Sequence, residues 1–193
     1  MLVAAGVAPY DVSYEKASGA TKEDDGAMDR AELEQQLHAL HTASFTWALA
    51  CCHRDRDDAE DVLQNVYVKI LEGKARFDGR ASFRTWLFAV IRNTAAGHRR
   101  TRRLRAIRFP QRNGHDRADG RESAEHDLVR SERTAALVAA LKQLARRQRE
   151  VLELTFYHEL TIEQAGEILG ISLGSARVHY ERGKKRLCAL LKE

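Results

Sequence analysis

The stretch Thr161-Ile-Glu-Gln-Ala-Gly-Glu-Ile-Leu-Gly-Ile-Ser-Leu-Gly-Ser-Ala-Arg-Val-His-Tyr-Glu-Arg-Gly-Lys-Lys-Arg186 decides how the rest of the chain is read. It predicts a short helix, a tight turn and a longer basic helix. Thr161 followed three residues later by Gln164 is a capping-box spacing, in which each side chain satisfies a backbone N–H left over at the helix start. Ile162, Ala165, Ile168 and Leu169 give that helix one apolar face. Gly170 is placed to end it, because glycine reaches left-handed backbone angles without strain. Ser172 then caps the second helix.

On that second helix Leu173, Ala176, Tyr180, Gly183, Leu187 and Leu190 recur at three- and four-residue steps and share one side. Gly174, Val178, Glu181, Arg182 and Lys185 fall opposite, flanked by Ser175 and Arg177. An inward small and apolar stripe backed by an outward basic one is what a DNA recognition helix requires. The plainer reading is a helical hairpin with a solvated charged face. Caps, turn and both faces agree on the helix-turn-helix.

The remainder is consistent with an all-α protein. Among 193 residues there are only two prolines, and Leu, Ala, Arg and Glu dominate. A formal net charge of +4 suits a nucleic-acid partner without requiring one. No apolar run approaches the ~20 residues that span a bilayer. The apolar start lacks the basic segment of a secretory signal. Three cysteines, Cys51, Cys52 and Cys188, form no disulfide framework, so reduced thiols in a cytoplasmic protein are expected.

Residues 1–28 mix small and charged residues without periodicity and read as a disordered tail, with Met28 a second candidate start. A helix is expected from Asp29 to about His53, with Leu33, Leu37, Leu40, Ser44, Ala48 and Cys51 inward. His38 with His41, and Cys51-Cys52-His53, are weighed as metal ligands and set aside, because adjacent helix positions point about 100° apart and no further donor completes a set. The next helix is expected to be capped by Asp57 or Asp58. Ala59, Val62, Leu63, Val66, Tyr67, Ile70 and Leu71 form its apolar side. Glu60, Asp61, Gln64 and Asn65 form the polar side.

Gly73 to Ser82 reads as a loop, and Ser82 caps a long helix. Phe83, Trp86, Leu87, Val90, Thr94 and Gly97 are its expected buried face. Arg84, Phe88, Arg92, Ala95 and Arg99 lie opposite. An aromatic among arginines there either stacks bases and neutralises phosphate, or packs on a neighbouring helix; the pattern leaves both open. The run Arg99, Arg100, Arg102, Arg103, Arg105, Arg108 holds no acidic residue and favours a polyanion contact. From about Ile107 to Leu128 periodicity dissolves into a linker. The expected architecture is therefore all-α: two small helical domains joined by a flexible linker, the second a helix-turn-helix. The second domain opens with Arg133 to Leu144, whose apolar side is Leu137, Val138, Leu141 and Leu144, and continues through Gln148 to Phe156.

At this point the chain resembles sigma factors of the sigma-70 class, in the short extracytoplasmic-function (ECF) group. Asp58-Ala59-Glu60-Asp61-Val62-Leu63-Gln64 is similar to the helix with which such factors hold the polymerase clamp. Phe77-Asp-Gly-Arg-Ala-Ser-Phe-Arg-Thr-Trp86-Leu87 and Ile91-Arg92-Asn93 resemble the segment that reads and opens the −10 element. Leu141 to Leu191 resembles the −35-reading domain. The resemblance implies a non-enzymatic initiation subunit without cofactor or metal. It implies a clamp-binding and −10 domain over 29–105 and a −35 domain over 131–193, which leaves the disordered tail over 1–28 and the linker over 106–130.

By the same resemblance, Glu60, Asp61, Gln64 and Asn65 contact core RNA polymerase. Arg76, Phe77, Asp78, Gly79, Arg80, Ser82, Phe83, Arg84, Phe88, Arg92, Asn93 and Arg99 take the −10 strand. Ser172, Gly174, Ser175, Arg177, Val178, Glu181, Arg182 and Lys185 take the −35 duplex. The implied partners are the β′ clamp and β flap of core polymerase, promoter DNA and an anti-sigma factor, with no stable membrane insertion.

Two positions depart from the family's pattern. Asn65 stands where an acidic residue is frequent, and Ala165-Gly166 replaces the more usual Ile-Ala. A free-standing helix-turn-helix regulator is the competing reading; the acidic helix and the loop at Phe77 speak against it. A nucleic-acid enzyme is disfavoured because no carboxylate cluster, phosphate loop or nucleophile–base pair is found.

Overall fold

The computed structural model describes residues 28–108 and 128–192; residues 1–27, the central stretch of the expected linker and Glu193 lie outside them. Where one helix was expected from Asp29 to His53 there are two, α1 (Arg30–Ala39) and α2 (His41–Cys51). The break is at Leu40, whose ψ of 2° leaves the helical range. The expected stripe is inward: Leu37, Ser44, Ala48 and Cys51 are buried, and Leu33 and Leu40 pack at its edge.

Helix α3 (Arg56–Leu71) is capped by Asp55, not by Asp57 or Asp58; the Asp55 carboxylate accepts from the Asp58 N–H at 3.0 Å. That leaves Asp57 and Asp58 in the first turn, where the helix dipole favours negative charge. Helix α4 (Phe83–Arg108) runs 26 residues. The Ser82 hydroxyl accepts from the Thr85 N–H at 3.1 Å, so Ser82 caps as expected. Trp47, fully buried on α2, donates from Nε1 to the Phe88 carbonyl at 3.0 Å and pins α2 to α4.

The second half begins with α5 (Leu128–Lys142) and α6 (Arg146–Leu152). The apolar side expected over Arg133 to Leu144 is covered only in part: Leu144 is buried, Val138 and Leu141 are half-buried, and Leu137 is exposed. A single π turn, Glu153–Tyr157, extends α6. Helices α7 (Ile162–Leu169) and α8 (Leu173–Leu190) follow. The capping box at Thr161 has both of its bonds, at 2.9 and 3.1 Å, and Gly170 closes α7 at φ 58°. Ser172 caps α8, accepting from the Ser175 N–H at 3.2 Å.

Glycine sets how closely the last helices approach. A Cβ on Gly183 would fall 3.1 Å from both Gln148 Cβ and Leu152 Cδ1, so α8 crosses α6 nearly in backbone contact. A Cβ on Gly166 would fall 3.2 Å from the Ile171 carbonyl oxygen. The departure at Ala165-Gly166 thus tightens the turn between α7 and α8.

The two helical units pack directly on one another, which the linker pattern did not foretell. Helix α7 lies along α4. One apolar cluster joins Trp47, Leu87, Phe88 and Ile91 with Val151, Leu154, Ile168 and Leu169. The face of α4 expected to be outward therefore forms the inner layer: Phe88, Arg92 and Ala95 are buried along with Leu87 and Ile91.

Candidate nucleic-acid interface

Three surfaces carry the residues singled out in the sequence. On α3, Glu60, Asp61, Gln64 and Asn65 are all exposed on one side. Glu60 pairs with Arg56 at 2.9 Å, and the Asn65 amide donates back to the Asp61 carbonyl at 2.8 Å. Asp61 and Gln64 are thereby presented on a rigid helix whose opposite side, Ala59, Val62, Leu63 and Val66, is the core. Arg102 on α4 reaches the first turn of α3, bonding Asp58 and approaching Asp55 at 3.6 Å. Those acidic partners hold the Arg102 guanidinium above its ordinary pKa.

The second surface is the loop before α4. Gly79 has φ 72°, a left-handed angle that lets the chain turn sharply between Asp78 and Arg80. The Asp78 carboxylate accepts from the Arg80 N–H and pairs with its side chain, both at 3.2 Å. Arg76, Asp78, Gly79, Arg80 and Ser82 are exposed. Behind them Phe77, Phe83 and Trp86 form an aromatic triangle with centroids 5.3 to 5.5 Å apart. Phe83 is buried in it, and Phe77 and Trp86 are half-exposed. Trp86 was expected to face inward, yet it offers ring surface beside the loop.

Along α4 the expected DNA-facing residues divide. Asn93 is exposed. Arg99 is half-exposed and donates to the Cys51 carbonyl. Phe88 is corrected: it is 0% exposed, stacked beside Trp47 and covered by the edge of His158 at 4.9 Å, so in this arrangement no base reaches it. Arg84 lies over the Phe88 ring at 5.5 Å and donates to the His158 carbonyl at 2.7 Å. Arg92 is buried and faces the Glu150 carboxylate at 3.9 Å. Burial pulls the Arg92 guanidinium below its ordinary pKa, against the pull of Glu150.

Glu150, His158 and Glu153 at this contact were not singled out in the sequence. Glu150 is also held by Arg146 at 2.9 Å and Arg147 at 3.1 Å. The His158 ring is 2% exposed among Trp47, Phe88 and Tyr157, and burial, then Arg84, pushes its pKa down to about 4. Glu153 pairs with Arg54 at 3.3 Å, and burial raises its pKa. A lone histidine in a polar turn has no periodicity to announce it.

The third surface is α8. Ala176 and Gly183 are buried, and Leu173, Tyr180, Leu187 and Leu190 are half-buried, which reproduces the expected inward stripe. Gly174, Ser175, Arg177, Val178, Glu181, Arg182 and Lys185 are exposed, as is Ser172 at the cap. Phe156 stacks on Tyr180 at 5.9 Å and buttresses the helix from the π turn. The outward row mixes a methyl-bearing side chain, a carboxylate and cations. Those types read thymine methyls, cytosine amino groups and guanine edges or phosphates respectively.

Comparison with known proteins assigns this arrangement. Sigma-70 region 2 matches residues 40–105, and Sigma-70 region 4 matches residues 134–187. The RNA polymerase sigma factor CarQ of Myxococcus xanthus is 31% identical over 169 residues, covering 88% of this chain and 93% of CarQ. The chain belongs to the sigma-70 family. The ECF RNA polymerase sigma factor SigX of Bacillus subtilis is 29% identical over 137 residues, 69% of this chain and 71% of SigX. The fold is that of the sigma factor RpoE solved with the anti-sigma factor NepR from Bartonella quintana, with TM-score 0.66, 23% identity, and coverage of 83% of this chain and 96% of that one.

This ECF sigma factor is an RNA polymerase sigma factor for promoter-specific transcription initiation, and the free-standing regulator is not favoured. Among the described residues no helix is long and apolar enough to cross a membrane.

Proposed function

We propose that the sigma factor divides its task among these surfaces as follows. The exposed row Glu60, Asp61, Gln64 and Asn65 on α3 holds the β′ clamp of core polymerase. The loop Arg76 to Ser82, backed by Phe77, Phe83 and Trp86, receives a base extruded from the −10 non-template strand. Extrusion costs a few kcal/mol, which stacking and edge hydrogen bonds in the pocket offset. Asn93, Arg99, Arg84 and Arg92 hold the strand backbone, the last two after release from the second unit. Phe88 is the floor beneath them. Helix α8 enters the −35 major groove with Ser172, Gly174, Ser175, Arg177, Val178, Glu181, Arg182 and Lys185 toward the DNA, and the second domain also meets the β flap.

The observation that carries the reading is the pairing, in one chain, of a recognition helix with an outward basic row and an acidic helix beside an aromatic-backed loop. A stand-alone regulator has no use for the last two. The proposed boundaries are a tail over 1–28, the first domain over 29–105, a linker over 106–130 and the second domain over 131–193. The protein acts in the cytoplasm, where core polymerase and DNA meet. RpoE of Bartonella quintana is solved with an anti-sigma factor, and an anti-sigma factor is proposed here too. A core-polymerase pull-down followed by run-off transcription from a promoter library tests the reading. Association with core and promoter selection by the resulting complex support it; no association, with promoter binding intact in the isolated chain, contradicts it.

A further inference from the structure

We propose that Lys184 is a specificity-determining residue for −35 recognition: it positions the Glu181 carboxylate against the base that Glu181 meets, and the Tyr180 ring holds it there. The inference rests on the reading that α8 lies in the −35 major groove with Glu181 toward a base. Lys184 acts through Glu181 and is a positioning residue. Its ammonium stands 3.7 Å from Glu181 Oε1 and 5.3 Å from the centre of the Tyr180 ring. Tyr180 stacks in turn on Phe156 at 5.9 Å, with the two rings 18° from parallel. These side chains form one connected row from the π turn to the outward side of α8.

Helix spacing explains why these residues meet. Lys184 lies four residues after Tyr180 and three after Glu181, the two spacings that bring helix side chains together. An exposed pair at such spacing is ordinarily mobile, because fixing two long side chains costs entropy and water screens their charges. Glu181 and Lys184 keep 67% and 48% side-chain exposure, so charge attraction alone does not fix the carboxylate. The ring supplies a second hold, since a cation is drawn to the negative face of an aromatic. The Tyr180 ring is itself held, half-buried against the core and stacked on Phe156. Arg182 and Lys185 are exposed and have no ion-pair partner among the described residues. They stay available to phosphates and base edges, which separates their task from that of Lys184.

The approach to DNA gives the pair its use. Phosphates repel a carboxylate over about 8 Å at physiological salt. An unaccompanied Glu181 swings away from the duplex and loses the amino group of a cytosine, the base-edge donor that suits a carboxylate. A cation fixed beside it offsets that repulsion. Lys184 approaches Oε1, which leaves Oε2 to accept from the base. Loss of Lys184 therefore weakens discrimination at one base pair, whereas loss of a phosphate contact weakens binding to all sequences alike.

The test uses holoenzyme assembled from core polymerase and the full chain. It is offered promoters with a randomised −35 element, and sequencing of the bound DNA gives the base preference at each position. The wild type should prefer cytosine about tenfold at one position, and Glu181→Ala should abolish that preference. Lys184→Met, at an exposed site, should cut the preference about threefold or more and leave the other positions unchanged. In a Glu181→Ala background the same substitution should change nothing at that position. Tyr180→Leu should act like Lys184→Met, while Tyr180→Phe, which keeps the ring and its stack, should retain the preference. An unchanged cytosine preference in Lys184→Met overturns the inference, and so does a uniform loss at every position. If Glu181→Ala itself leaves the wild-type preference intact, the reading of Glu181 fails first, and the inference with it.

Discussion

Lowering the pH should loosen the contact between the two domains, and His158 sets the size of the effect. Its ring is buried among Trp47 and Phe88, and its pKa falls from 6.5 to about 4. A depressed histidine stabilises the docked form fully above pH 6.5 and loses that contribution as pH falls from 6.5 toward 4. At pH 5 an undocked imidazole is about thirty parts protonated to one neutral, and the docked one about one part in ten. The docked-to-undocked ratio then falls about twentyfold between pH 7 and pH 5, or about 2 kcal/mol.

The charged groups near the ring are Arg84 from α4, and Glu153 and Glu159 on its own segment. Glu153, raised by burial, opposes the change, because a carboxyl raised in the docked form favours docking as pH falls. His53, lowered by burial and then by Arg149, adds to it. A His158→Gln variant separates these contributions. The dye distance between Glu32→Cys and Cys188, followed from pH 7 to 5, should lengthen in the wild type and stay nearly flat in the variant. Equal lengthening in both refutes the assignment to His158.

Gly183→Ala gains about 1 kcal/mol of helix propensity but crowds Gln148 Cβ and Leu152 Cδ1 at 3.1 Å and the Gln148 carbonyl oxygen at 3.3 Å. Overpacking costs about 1–3 kcal/mol and a backbone oxygen cannot swing aside, so urea unfolding should show a net loss; a gain refutes the close crossing of α6 and α8. Asp61→Ala should weaken pull-down of core polymerase and leave circular dichroism and thermal unfolding unchanged, since Asp61 is exposed; a lost fold contradicts a contact role. Arg182→Ala should cost about 1–3 kcal/mol at one −35 position if the guanidinium reads a base edge; a uniform loss over all sequences makes it a phosphate contact.

What was legible in the sequence follows from what periodicity encodes. Side-chain spacing states which residues share a helix face, so α8, α7 and the core side of α3 were readable, as were caps whose chemistry is local, Thr161, Ser172 and Ser82. Spacing does not state what covers a face. Phe88 and Arg92 were correctly grouped on the far side of α4, but the covering residues lie about sixty to seventy positions away across a linker, and so base stacking and burial looked alike. His158 and Glu150 carried no signal because their role exists only once the two halves meet. The break at Leu40 was also silent, since neither proline nor glycine marks it and the apolar rhythm continues through it. Residues of the polymerase-facing row were legible as a polar face; their purpose came from resemblance to a family.

The most direct test of the account is run-off transcription with purified core polymerase on a randomised promoter library, sequencing the templates that are used. The account predicts that core plus this chain selects templates sharing separate −35 and −10 elements, that core alone selects none, and that Val178→Ala or Glu181→Ala changes the −35 preference while leaving the −10 preference as it was. Template selection that is the same with and without the chain, or a −35 preference indifferent to both substitutions, would contradict it.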